Sequence, residues 1–379
     1  MLLKFIIKGL SCFAIETQSH SGSQELVVRS KRAFLSSALL AGSTVFLPVT
    51  TLAGSADEFS GTVDTNADRW MYPFNATPGF RPAGSIFGFV TVPANGDFDN
   101  RDAQNIIAFD TTGIVESGLG VDSYNIDSIT VRMTLSGPAS GPLDTTYDVW
   151  QTYLPSSAPG AIPDSDPGRP IEIYAAGFRF GFTRLTWEEG STFSVTGPFG
   201  TNNRTVFTAG FNGKGALVDV SSNVNDQSDN TPLAIAGFPG LSDGDTPPEG
   251  AVATFDIDLS DDRTKAWVAD SLNEGRIVFA ISSLIFASQG DGVLTQMYMR
   301  ENALVTAGVR DPANITMAGS TGGSGCQIPG DINGDCQVNG ADLGAMLAAW
   351  GSDDPGADID GNGTVDGGDL GTLLANWSF

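Results

Sequence analysis

Two stretches near the C-terminus carry oxygen-bearing side chains at a spacing that suits a hard cation. Residues 331–350 read DINGDCQVNGADLGAMLAAW and residues 358–377 read DIDGNGTVDGGDLGTLLANW, a 27-residue repeat. Positions 1, 3, 5, 9 and 12 of the first copy are Asp331, Asn333, Asp335, Asn339 and Asp342. In the second copy they are Asp358, Asp360, Asn362, Asp366 and Asp369. Position 7, Gln337 or Thr364, offers its backbone carbonyl. Calcium takes about six to eight oxygens on a tightly curved loop, so the pattern predicts two calcium ions, one per loop. The alternative is an acidic, solvated repeat that binds nothing, and two full ligand sets in register argue against it.

Each loop runs into an apolar stripe: Leu343, Met346, Leu347, Trp350, and then Leu370, Leu373, Leu374, Trp377. The i, i+3, i+4, i+7 spacing predicts one buried helix face, with both tryptophans in the core. Paired loop–helix repeats with Asp at position 12 resemble the dockerin family, and the resemblance covers residues 326–379. It implies a small all-α domain with two EF-hand-like loop–helix repeats, a calcium-dependent docking module for a cohesin-like receptor, and a link to extracellular polysaccharide breakdown. Two positions depart from the family pattern. Position 6 is Gly363 in the second loop but Cys336 in the first, where a positive φ costs a non-glycine residue about 1–2 kcal/mol. Positions 10 and 11, which often carry receptor-reading hydroxyls in the family, are Gly340-Ala341 and Gly367-Gly368. Calcium binding carries over to this sequence better than cohesin recognition does.

Cysteine and histidine usage narrows the remaining chemistry. Cys12 lies in the leader, so Cys326 and Cys336 form the one pair downstream of it, and in an exported chain a disulfide is the first reading. A ring that small stabilises by roughly 2–3 kcal/mol on the chain-entropy account. The single histidine, His20, also lies in the leader. A processed chain without histidine has no Ser–His–Asp or Cys–His machinery and no histidine metal site. Catalysis would rest on carboxylates, Tyr, Lys or Arg.

A glycosidase needs two carboxylates roughly 5–10 Å apart. Three sets qualify by sequence: Asp256 with Asp258, Glu188 with Glu189, and Asp243 with Asp245. Solvated strand faces and acidic turns account for all three, so no catalytic residue is assigned. The Asp243–Asp245 loop is also weighed as a calcium loop against an ordinary turn. Trp70, Trp150 and Trp187 are weighed as a sugar-stacking platform against buried core.

The element pattern that must position these groups is β-rich. In residues 57–318, Ile129, Val131, Met133 and Leu135 alternate with polar residues, as do Phe255, Ile257 and Leu259. Further strand candidates are Ile86–Val92, Asn105–Asp110, Tyr147–Trp150, Ile171–Tyr174, Phe178–Phe182, Ile277–Phe286 and Gln296–Arg300, and Asp262–Leu272 reads as a helix. Many short strands with turn residues between them predict a mainly β chain, an antiparallel β-sandwich of jelly-roll-like form. Gln104–Asp110, Asp127–Leu135 and Phe255–Ala280 loosely resemble DNRLRE-type jelly rolls found beside carbohydrate-active enzymes. That likeness implies a binding or structural module and supplies no site residues. Gly319–Gly325 reads as a Gly/Ser linker to the tail.

Residues 1–56 read as an export leader: Arg29-Ser30-Lys31-Arg32, an apolar run Ala33–Leu47, then small residues. Ser30–Leu35 resembles a Tat-like signal with Lys for the first Arg, so Tat-like and Sec export both stand; cleavage is expected after Ala53 or Ala56, and the true start near Val27 or Val28. No transmembrane span is expected downstream. The formal charge is −25, and residues 57–379 hold 42 acids against 14 bases. So acidic a surface repels phosphate backbones and disfavours nucleic acid. The sequence therefore predicts a secreted or cell-envelope binding or scaffolding protein with a calcium-binding docking tail, associated with polysaccharide. Its alternatives are a polysaccharide-degrading hydrolase with carboxylate catalysis, and a structural envelope protein.

Overall fold

The computed structural model describes residues 6–8, 11–13, 57–72, 81–88, 99–195, 204–286, 294–322, 328–333 and 337–378. The chain divides into two units, Met1–Leu52 and Ala53–Phe379. In the first, β1 (Ile6–Lys8) and β2 (Ser11–Phe13) pair as an antiparallel hairpin. The signal motif and cleavage sites expected of the leader lie outside the described residues. No helix among the described residues is long and apolar enough to cross a membrane.

The second unit is mainly β, and its named strands pair antiparallel. They are β3 (Asp57–Asp64), β4 (Ala67–Met71), β5 (Ala83–Ile86), β6 (Gln104–Asp110), β7 (Tyr124–Thr134), β8 (Ile171–Phe178), β9 (Val206–Phe211), β10 (Leu217–Asp219), β11 (Ala234–Ile235), β12 (Val252–Asp256), β13 (Arg276–Ser283), β14 (Thr295–Tyr298) and β15 (Asn314–Thr321). One sheet has the order β12-β7-β15-β3. A larger one runs β10-β9-β8-β13-β6-β4, with β11 also on β8, and β14-β5 forms a small ribbon.

The two large sheets share one core, as a sandwich does. Val131 and Met133 of β7, Phe255 of β12 and Met317 of β15 meet Ile107 and Phe109 of β6, Ile173 of β8 and Phe279 of β13. The four-stranded sheet turns its other face to water, so β15 alternates buried and half-buried positions, and the Thr62 and Thr316 hydroxyls pair on the outside at 2.8 Å. The larger sheet is covered on both faces. A second core of Met71, Ile106, Ala108, Trp187, Val206 and Val278 lies against its back. This is why Ile106-Ile107-Ala108-Phe109 and Ile277–Ile281 are continuous apolar runs instead of alternating ones.

Helix α1 (Asp262–Asn273) starts at Asp261, whose carboxylate accepts the Arg263 N–H at 2.8 Å. It drops Trp267, Val268 and Leu272 into the shared core and matches the helix expected at Asp262–Leu272. A single helical turn, α2 (Ala303–Thr306), follows β14.

Three expectations are corrected. Tyr147–Trp150 is not a strand: Asp229 accepts from the Tyr147 hydroxyl at 3.3 Å and from the Trp150 N–H at 3.0 Å, holding a loop that enters a 3-10 turn. Phe178–Phe182 is not a strand either, because β8 ends at Phe178 and Phe180 sits at φ 60°, which turns the chain. The Gly/Ser segment begins as sheet: Gly319, Ser320 and Thr321 pair with Phe59, Glu58 and Asp57.

Candidate metal centre

Two short helices carry the repeat, α3 (Gly340–Ala348) and α4 (Gly367–Ala375). Each begins at loop position 9, where Asn339 or Asp366 caps the helix and position 12 returns a carboxylate to the cap backbone as a capping box. The position-12 carboxylates do more than cap. Asp342 Oδ1 accepts from Ile332 N at 2.8 Å and Asn333 N at 3.1 Å, and Oδ2 from Asn339 N at 2.9 Å. Asp369 Oδ1 accepts from Ile359 N at 2.7 Å and Asp360 N at 3.1 Å, and Oδ2 from Asp366 N at 2.8 Å. The partners are offset by 27 residues throughout and the distances agree to about 0.1 Å.

These backbone donors stabilise the charged form, holding both carboxyls below the usual range even though burial opposes it at Asp342.

The second loop closes further. Asp358 accepts from Asn362 N at 3.1 Å and Gly363 N at 2.7 Å, Asp360 from Asn362 N at 3.0 Å, and Asn362 from Thr364 N at 3.0 Å. Gly363 has φ +89°, the left-handed conformation expected at position 6. Asp358, Asp360 and Asp369 each bring an oxygen within 4.8 Å of the others, a spacing suited to one cation. In the first loop Asp331, Asn333, Gln337, Asn339 and Asp342 are described. Asp335 is outside the described residues, as are Cys326 and Cys336 of the expected disulfide.

The repeats share a small core of Val338, Met346, Ala357, Val365 and Leu373, with Trp377 packed on it. Gly330, at φ +109°, passes so close that a Cβ there would lie 2.8 Å from Leu373 Cα. The stripe expected to be one buried face is only partly so. Leu347 and Leu374, 27 residues apart, are exposed, and so is Trp350, which corrects its assignment to the core. Nine-residue helices against so small a core leave one side of each in water.

The three acid pairs of the sheet region fare differently. Asp256 is an exposed strand-end acid that accepts from Thr130 Oγ1 at 2.6 Å. Asp258 accepts from Ser260 N at 2.8 Å, and the Ser260 side chain together with that N–H holds its carboxyl below the usual range. Asp245 accepts from Ser242 N within its own turn, and Asp243 accepts from Thr145 of a distant loop. Glu188 and Glu189, by contrast, line one open cleft of about 560 Å³ together with Asp110, Glu274 and Arg276.

Behind that cleft lies a group that sequence reasoning missed. Asp68, Glu189 and Glu301 bring carboxylate oxygens within 4.8 Å of one another. Arg300 donates its backbone N–H to Asp68 at 2.8 Å and its guanidinium to Glu189 at 3.1 Å. Burial pushes Asp68 up to about 7; burial, then Glu301 beside it, pushes Glu189 to about 8. Asp68 sits in β4 between two buried strand residues, and nothing in Ala67-Asp68-Arg69 marks it as buried from sequence.

A carboxyl with a higher pKa folded than unfolded stabilises the fold fully below about pH 4, and that contribution is lost as pH rises through 7–8. Asp68→Asn removes this loss. Thermal unfolding at pH 5 and pH 8 is expected to show the variant gaining about 2–4 °C on the parent chain at pH 8 relative to pH 5. An equal shift at both pH values would refute the assignment.

The tryptophans form no common platform. Trp187 is fully buried in the second core, Trp70 stacks on Tyr72 and donates to Ser85 O at 2.8 Å, and Trp150 starts a 3-10 turn. None of them lines the acidic cleft. No family model matches this chain, and no curated protein does.

Proposed function

We propose that this is an exported, calcium-binding docking protein: a jelly-roll-like β-sandwich that holds extracellular material, followed by a small all-α dockerin-like module. One observation carries the reading, the position-12 carboxylates Asp342 and Asp369, which repeat the same three backbone contacts at a 27-residue period. Random acidic surface does not reproduce a loop geometry twice. In this reading Asp331, Asn333, Asp335, Gln337, Asn339 and Asp342 hold one calcium ion, and Asp358, Asp360, Asn362, Thr364, Asp366 and Asp369 hold another. The exposed Leu347, Trp350 and Leu374 supply apolar contact for a cohesin-like receptor in place of hydroxyls at positions 10 and 11.

Equilibrium dialysis of the full chain against radioactive calcium tests the module. Asp342→Asn with Asp369→Asn is expected to remove two bound ions per chain; unchanged stoichiometry refutes it. Trp350→Ala is expected to leave stability within about 0.5 kcal/mol, because its side chain already meets water, while abolishing receptor capture.

A second reading, polysaccharide hydrolysis, has a specific observation in its favour. Burial pushes the Glu189 carboxyl up to about 8 at the cleft wall, and Glu188, Asp110 and Glu274 line the same cleft. Glycoside cleavage uses a general acid with a raised pKa and a second carboxylate in the same cleft. Binding to insoluble glycans paired with a reducing-sugar assay separates the readings. We expect binding without product; sustained release that Glu189→Gln abolishes would establish the hydrolase instead.

A further inference from the structure

The connection between β7 and β8 holds a third acidic group, remote in sequence from the tail loops. Asp144, Asp148 and Asp166 each bring a carboxylate oxygen within 4.8 Å of the others, with Asp144 and Asp148 buried and Asp166 half-buried. Thr146 spans two of them: its N–H and hydroxyl lie 2.8 and 2.9 Å from Asp144 Oδ1, and its hydroxyl lies 3.0 Å from Asp166 Oδ2. The remaining oxygens of both residues, Asp144 Oδ2 and Asp166 Oδ1, are buried and accept no hydrogen bond. Asp144 is only 1% exposed.

Charge is unbalanced in the same sense. Arg169 reaches Asp148 at 2.7 Å and Asp164 at 2.9 Å, and is itself held by Thr152 O at 2.9 Å. It offsets those two acids and reaches neither Asp144 nor Asp166 within ion-pair distance. A buried carboxylate oxygen without a donor is costly, and this group holds two of them. A divalent cation held by the group offsets that cost.

The surrounding loops are fastened so that the group cannot simply spread apart. Asp243 accepts from Thr145 N at 3.1 Å and Thr145 Oγ1 at 2.7 Å, while Gly244 N donates to Leu143 O at 2.9 Å. Gly168, at φ +105°, lets the chain after Asp166 run against Pro142; a Cβ there would lie 2.4 Å from the Pro142 carbonyl oxygen. The Asp243–Asp245 loop is thus a fastening for the site, not the site.

We propose that Asp144, Asp148 and Asp166 bind a calcium ion in the β7–β8 connection, a site in the sandwich independent of the tail. Calcium suits the donor set because all three are carboxylates on irregular loops, with the Thr146 hydroxyl close by. The ion ties residues 144–148 to residues 164–169 and so sets the mouth of the sheet at this end.

The test uses the full chain and calcium itself. With the tail loops disabled by Asp331→Asn, Asp342→Asn, Asp358→Asn and Asp369→Asn, equilibrium dialysis is expected to retain one bound ion per chain; none retained overturns the proposal. Adding Asp144→Asn and Asp166→Asn is expected to remove that ion, and retention of it overturns the proposal equally. Should the double change prevent folding, Asp166→Asn alone, at a half-buried position, is expected to weaken the retained ion at least tenfold; unchanged affinity is the contrary result. The tail reading fails separately, as a parent chain that binds one ion where three are expected.

Discussion

Glu172→Ala is expected to destabilise the sheet domain by about 3–5 kcal/mol, the cost of leaving a buried charge without its partner. Arg101 and Glu172 form an ion pair with both side chains almost wholly removed from water. Arg101 also lies 3.2 Å from Ser282 Oγ and 3.1 Å from the Tyr174 hydroxyl, and its guanidinium sits 4.9 Å from the Tyr174 ring centre. Tyr174 in turn lies 3.1 Å from Glu172 Oε1. Removing Glu172 strands the guanidinium in that enclosure, because no other acid pairs with it among the described residues. Chemical denaturation of Glu172→Ala, Arg101→Met and the double variant measures the effect. The double variant is expected to be more stable than Glu172→Ala alone, since it buries no charge; a double variant as weak as the sum of the singles would show that the network does not act as a unit.

The second large effect concerns the tail. Withdrawing calcium from the full chain is expected to abolish amide-exchange protection across residues 337–378 while leaving β6, β8 and β13 protected. Asp358, Asp360 and Asp369 stand within 4.8 Å of one another, and five buried apolar residues are a small core to set against their repulsion. Hydrogen exchange followed by mass spectrometry reads both regions in one experiment. Protection that survives a chelator would mean the backbone contacts of Asp342 and Asp369 suffice without an ion. Mass action alone gives about 4 kcal/mol at a thousandfold excess over Kd, which is comparable to the whole stability of so small a module.

How much of this was legible in the sequence depended on whether a residue's neighbours are near in the chain. The tail loops could be read directly because ligand spacing is local: Asp358, Asp360 and Asp369 lie within twelve positions, and the folded loop brings the same three together. Helix α1, expected at Asp262–Leu272, was legible for the same reason, since its pattern is local. Glu172 was not. Between Ile171 and Ile173 it reads as the solvent face of an alternating strand, yet β8 belongs to a sheet covered on both sides. The signal lay elsewhere, in the continuous apolar runs of β6 and β13, which require two buried faces and therefore a partner for any charge in β8, the strand beside β13. Strands β3 and β15 were missed because DEFSGTVD and NITMAGST are diluted by Gly, Ser and Thr, and only their pairing across the chain fixes them. The acid group at Asp68, Glu189 and Glu301 is assembled from segments far apart in sequence, and Asp144, Asp148 and Asp166, though within one connection, follow no periodic ligand spacing.

The pairing of β3 with β15 also decides how the molecule carries tension. Asp57 faces Thr321 and Asp64 faces Asn314, so the strand that opens the sheet domain and the one that closes it leave the sheet at the same end. Antiparallel hydrogen bonds run across the strands. Force applied between residues 57 and 321 therefore opens this ladder one pair at a time, like a zip, from the Asp57–Thr321 end. Force applied at residue 321 against the body of the sheet meets β15 between β7 and β3 and loads both of its ladders. A chain loaded at residue 321 against the body of its sheet accordingly resists far more than one loaded between residues 57 and 321. The same fold is a strong coupling in one direction and a weak one in the other.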